Sequence, residues 1–63
     1  MNRITFNPKI LSGKPIIKGT RISVEFILEL LASGMDEHEI LKEYPRLKRA
    51  DIRAVLELYS LHF

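Results

Sequence analysis

The stretch Gly13-Lys14-Pro15-Ile16-Ile17-Lys18-Gly19-Thr20-Arg21-Ile22 constrains the fold more than any other. Pro15 fixes its own φ and biases Lys14 toward extended backbone, and the β-branched pair Ile16-Ile17 favours a strand. Lys18-Gly19 can turn the chain, because Gly19 tolerates a positive φ. The pattern predicts a hairpin with Arg21-Ile22 as its returning arm and Ser23 as N-cap of the helix that follows. It leaves open whether the strands pair within one chain or between two. A slip of one residue would exchange Ile16 and Ile17 between the two faces. Both are read as candidates for a subunit or partner surface.

Ahead of this stretch, Ile4-Thr5-Phe6 alternates like a short edge strand and stops at the turn signal Asn7-Pro8. Lys9 to Gly13 reads as a linker whose Ile10 and Leu11 pack beneath the hairpin.

After it, the period changes from two to about 3.6. Val24, Ile27, Leu28 and Leu31 share a face opposite Glu25 and Glu29, which predicts a first helix from Val24 to Ser33 ended by Gly34. Asp36 and Glu39 have capping-box spacing, and Met35 and Ile40 have that of a hydrophobic staple. A second helix is expected from Glu37 to Glu43, ended by Tyr44-Pro45. Leu47 and Ile52 repeat the staple for a third helix with Lys48 at N-cap and Asp51 at N3. Lys48 cannot cap as Ser or Thr does, a deficit of about 1 kcal/mol. One stripe of the third helix carries Ile52, Val55, Leu56 and Tyr59, and a second carries Ala54, Leu58 and Leu61. The expected fold is mainly α, a single domain with a β element over 1–22 and a homeodomain-like three-helix bundle over 23–60.

A chain of 63 residues without cysteine has neither a large core nor disulfides to stabilise it, yet 46% of it is hydrophobic. Some of that surface is expected to face a partner, with Leu58, Leu61 and Phe63 as candidates, and a homodimer is the simplest case. The absence of cysteine, of a signal-peptide core and of a membrane-spanning apolar run gives a cytoplasmic, non-membrane reading.

Charge is zoned. Arg3, Lys9, Lys14, Lys18 and Arg21 give residues 1–23 a charge of +5 with no acid. Residues 24–43 carry −5 through Glu25, Glu29, Asp36, Glu37, Glu39 and Glu43 against Lys42, and residues 44–63 return to +2. An anion-binding face set against a solvated acidic face has this pattern.

The second helix, the connection Tyr44-Pro45-Arg46-Leu47 and the third helix have helix-turn-helix proportions. In that motif the second helix of the pair enters the major groove. Lys48, Arg49 and Arg53 stand where its first turns meet phosphates and bases, Arg46 can hold a phosphate, and Arg49 or Arg53 can read guanine. Lys14, Lys18 and Arg21 are candidates for flanking phosphates. Gly13-Lys14 is no phosphate-binding P-loop, since Pro8 and Pro15 stand where a glycine and a Ser or Thr are needed. Thr20 is read as bonding the hairpin backbone. His38 and His62 are read as surface residues, with no metal or cofactor site. No nucleophile has an identifiable base, so the chain is not read as an enzyme.

Taken together, Gly13 through Val24, then Leu31-Ala32-Ser33-Gly34-Met35, Ile40 through Leu47 and Asp51-Ile52 resemble the small prokaryotic domain-of-unknown-function family 433 over nearly the whole chain. The resemblance implies a homeodomain-like three-helix fold with an N-terminal β element. It also implies kinship with antitoxins paired with PIN-like ribonuclease toxins. Lys48 departs from the Thr or Ser usual in that family. A toxin contact is expected to use the hairpin or the apolar end of helix three.

The sequence thus predicts a dimeric regulator that binds operator double-stranded DNA, of antitoxin or autorepressor type. The alternative is a protein-interaction module that neutralises or scaffolds a partner such as a PIN-like nuclease without touching DNA.

Overall fold

The computed structural model describes residues 3–60. Two strands, β1 (Ile4–Phe6) and β2 (Pro15–Ile17), precede three helices: α1 (Val24–Ala32), α2 (Glu37–Glu43) and α3 (Arg49–Ser60). The strands are antiparallel, with Ile4 opposite Ile17, Thr5 opposite Ile16 and Phe6 opposite Pro15.

The expected hairpin forms only in part. Thr20 N–H donates to the Ile17 carbonyl at 3.0 Å, closing a turn over Lys18-Gly19 with Gly19 at φ +82°. The returning arm is a single bridge between Ile16 and Ser23, beside an Ile17 N–H to Ile22 C=O bond of 2.9 Å. The main partner of β2 is β1. Thr20 serves the backbone here: its Oγ1 donates to the Ile17 carbonyl and accepts from Ile22 N–H.

Ile16 and Ile17 are not a partner surface, because both are buried, at 2% and 1% exposure. Strand parity assigns them to opposite faces, but both faces are covered. Ile17 packs into the helical core, while Ile16 lies at a groove lined also by Phe6, Ile10 and Ile22. Leu11 does not pack beneath the hairpin. It is exposed in a short turn at Leu11–Gly13, where Leu11, Ser12 and Gly13 all have left-handed φ of 50°, 56° and 81°.

The helix boundaries follow local chemistry. Ser23 Oγ accepts from Phe26 N–H at 2.9 Å and opens α1. Gly34, at φ +101°, closes it: Gly34 N–H bonds the Leu31 carbonyl and Met35 N–H the Leu30 carbonyl, a Schellman arrangement. Helix α2 begins with a complete capping box, Glu39 N–H to Asp36 Oδ1 at 2.8 Å and Asp36 N–H to Glu39 Oε1 at 3.0 Å. Two turns of helix are not stable alone. Burial of Ile40 and an edge-to-face contact between Phe26 and Tyr44, centroids 5.5 Å apart, hold α2 against α1.

Ile17, Val24, Ile27, Ile40, Leu47, Ile52 and Val55 form the core, each such side chain stabilising the fold by about 1.5–3 kcal/mol when fully buried. The inward face of α3 is rotated from the expected stripe. Asp51, Ile52, Ala54 and Val55 are buried, whereas Leu56 and Tyr59 are exposed. Leu58 is half-buried against the core rather than a free partner surface. Leu61 and Phe63 lie outside the described residues. Leu56 and Tyr59 instead line a shallow apolar cleft with Leu28, Leu31 and Ala32.

Candidate nucleic-acid interface

The entry to α3 is built on the staple. Leu47 and Ile52 are buried, and Leu47 N–H bonds the Tyr44 carbonyl at 2.9 Å, so the connection carrying Arg46 and Lys48 is held firmly. The capping deficit at Lys48 is met from the other side: Asp51 Oδ2 accepts the Lys48 backbone N–H at 2.9 Å. This is the reaching-back half of a capping box, and it sets a negative charge in the first turn, where the helix dipole favours it.

Asp51 is buried, at 5% exposure, and its second oxygen accepts Arg3 Nη1 at 2.9 Å. Arg3 in turn accepts Lys18 N–H on its carbonyl at 2.8 Å. The turn Lys18-Gly19 is thereby tied through Arg3 to the start of α3. Arg3 is spent on this structural bond rather than left as free positive charge.

Arg49 and Arg53 share an exposed face of α3, with side chains 70% and 65% accessible. Both face Glu37 of α2: Arg49 Nε lies 3.0 Å and Arg53 Nε 3.9 Å from Glu37 Oε1. That oxygen is shielded from solvent and has no aligned hydrogen bond, so the contacts are ionic. One carboxylate therefore sits between the two arginines.

Among the described residues, Lys18, Arg21, Arg46 and Lys48 have no acidic partner within ion-pair distance. Arg21 and Arg46 line the same groove, of about 670 Å³, although they are far apart in sequence. Lys14 does not join this group. Its Nζ lies 3.8 Å from Glu25 of α1, with both side chains exposed, at the end of β2 away from Lys18. His38 is exposed on α2 and His62 lies outside the described residues. Among the described residues no cluster of His, Cys, Asp or Glu could hold a metal ion. No helix of the described residues is long and apolar enough to cross a membrane.

Sequence reasoning missed three site residues: Arg3, Glu37 and Asp51 in its buried role. The N3 position of Asp51 was a usable signal for its cap. The pairings of Arg3 with Asp51 and of Glu37 with the α3 arginines join segments remote in sequence and left no local pattern.

The family model described as protein of unknown function (DUF433) matches residues 4–59. The chain belongs to that family. A DUF433 member protein from Anabaena variabilis, solved by crystallography, superposes with a TM-score of 0.89 at 30% identity, covering 97% of this chain and 60% of that one. Uncharacterized protein y4eO of Sinorhizobium fredii is 34% identical over 50 residues, which are 79% of this chain and 23% of the relative. The chain thus spans 60% of the length of the first and 23% of the length of the second.

Proposed function

We propose that this DUF433 chain is a small DNA-binding protein whose α2–α3 pair acts as a helix-turn-helix in a homeodomain-like bundle, with α3 entering the major groove. The observation that carries the reading is the concentration of cations at the entry to α3. Among the described residues Arg46 and Lys48 have no acidic partner, and Arg49 and Arg53 follow on one exposed face. Arg49 and Arg53 are the base-reading candidates. Lys18, Arg21, Arg46 and Lys48 supply phosphate contacts, whereas Lys14, beside Glu25, contributes little. The protein acts as a homodimer on a two-fold operator, and an antitoxin or autorepressor role in the cytoplasm is the one its family resemblance supports.

The test is fluorescence anisotropy on a duplex from upstream of its own gene against a scrambled duplex, across a salt series. A specific complex whose log affinity falls with log salt by roughly 7 units of slope is expected for four phosphate contacts from each subunit of a dimer. Replacing both Arg49 and Arg53 with Ala removes the discrimination. Discrimination that survives the double substitution sinks the assignment of α3 as the reading helix.

A second reading is favoured by one observation, the apolar cleft of Leu28, Leu31, Ala32, Leu56 and Tyr59 between α1 and α3. On this reading the chain is an interaction module that neutralises a partner such as a PIN-like nuclease without DNA. Copurification of the neighbouring gene product after nuclease treatment, with no operator binding, would select it.

A further inference from the structure

The groove shared by Arg21 and Arg46 has an apolar lining that the DNA reading does not use. Its apolar lining is Ile10 and Ile22, both half-buried, and Phe6 at 66% exposure, with the buried Ile16 behind them. Its polar groups are largely engaged within the chain: Asn7 Oδ1 accepts Lys9 N–H, and Thr20 Oγ1 both donates and accepts in the turn. Among the described residues the two guanidiniums are not so engaged, and no acid lines the groove.

We propose that this groove docks an extended peptide segment of a partner protein, one that sets apolar side chains against Phe6, Ile10 and Ile22 and carboxylates on Arg21 and Arg46. Charge complementarity selects the acidic component, since two unpartnered guanidiniums present forked donors matched to carboxylates. The lining selects the apolar component, because a bare phosphodiester leaves Phe6, Ile10 and Ile22 unused. Exposure selects a segment over a small molecule. Small ligands are held in sites that bury most of their surface, whereas Phe6, Arg21 and Arg46 are all exposed here. Peptide docking stands independently of the DNA reading, although a duplex and a peptide would both draw on Arg21 and Arg46.

The experiment is an amide chemical-shift titration of the ¹⁵N-labelled chain. The probe is an acetylated, amidated decapeptide with four glutamates around a Leu-Phe centre, and the control has glutamine at those four positions. Saturable shifts confined to Thr5, Phe6, Gly19, Thr20 and Ile22 are expected with the glutamate peptide, and binding at least tenfold weaker with the control. Arg21→Gln and Arg46→Gln, both at exposed positions, should each weaken binding about tenfold, the equivalent of about 1.4 kcal/mol. Phe6→Ser should weaken it severalfold, with the amide spectrum of each variant reporting an intact fold. Equal affinity for the glutamine peptide, shifts scattered over the surface, or indifference to both arginine substitutions overturns the proposal. A parallel titration with the operator duplex separates the two readings. Duplex-induced shifts at the groove with none from the peptide assign Arg21 and Arg46 to phosphates and overturn peptide docking, whereas loss of DNA binding alone leaves the peptide result standing.

Discussion

Asp51 is where the fold is most exposed to a single substitution. Its carboxylate is buried at 5% and makes two bonds of 2.9 Å, to the Lys48 backbone N–H and to the Arg3 guanidinium. Asp51→Ala removes both and leaves the N–H of Lys48, the residue before α3, without its side-chain partner. A hydrogen bond to a charged group contributes about 1.5–3 kcal/mol. The Arg3 side chain is 44% exposed, so its share is discounted for screening to about 1 kcal/mol or less. The capping bond contributes about 1–2 kcal/mol, giving an expected loss of roughly 1–3 kcal/mol. A domain of this size has only about 3–5 kcal/mol from its core, so the loss is a large part of the total. Urea denaturation followed by helical ellipticity measures it, and thermal unfolding should show a fall of about 4–8 °C for each kcal/mol. Asp51→Asn keeps an oxygen for Lys48 N–H and should cost about half as much. Arg3→Ala should cost about 1 kcal/mol or less, and a double-mutant cycle isolates the coupling. A loss below about 0.5 kcal/mol for Asp51→Ala would refute the claim that this carboxylate joins β1 to α3.

Other substitutions test the remaining arguments. Glu37→Gln removes the acid that faces Arg49 and Arg53, and should raise affinity for operator and scrambled duplex alike by about two- to fivefold at low salt while stability changes by about 1 kcal/mol or less. Unchanged anisotropy curves would mean that the two arginines do not face DNA. Ser12→Gly, at φ 56°, should stabilise the chain by about 1 kcal/mol, and Gly34→Ala, at φ +101°, should destabilise it by about 1 kcal/mol or more. Opposite signs in the same urea assay are required, because both follow from one steric rule.

Elements governed by short-range chemistry were legible in the sequence. Ser23, Gly34, the Asp36 and Glu39 box and Pro45 act on backbone groups within about one turn of themselves, so the bounds of α1 and α2 could be read from spacing alone. The same holds for the staple at Leu47 and Ile52 and for the clustering of basic residues at the entry to α3.

Which partner β2 chose was a different matter. A tight hairpin and a pairing with β1 satisfy the same local pattern, and only the packing of helices on one face, with Ile4 and Ile17 turned into it, brought β1 alongside. Burial of both Ile16 and Ile17 followed from covering both faces. The rotation of α3 that exposes Leu56 and Tyr59 also depended on where the other helices stood. The site divides in the same way. The sequence by itself determined which residues carry positive charge and that four of them cluster at Arg46, Lys48, Arg49 and Arg53. Tertiary structure alone decided that Arg3 is spent on Asp51, that Glu37 stands against Arg49 and Arg53, and that Arg21 and Arg46 share one groove. Caps and turns are closed by atoms a few bonds away, whereas ion pairs and grooves depend on distances that exist only once the helices have packed.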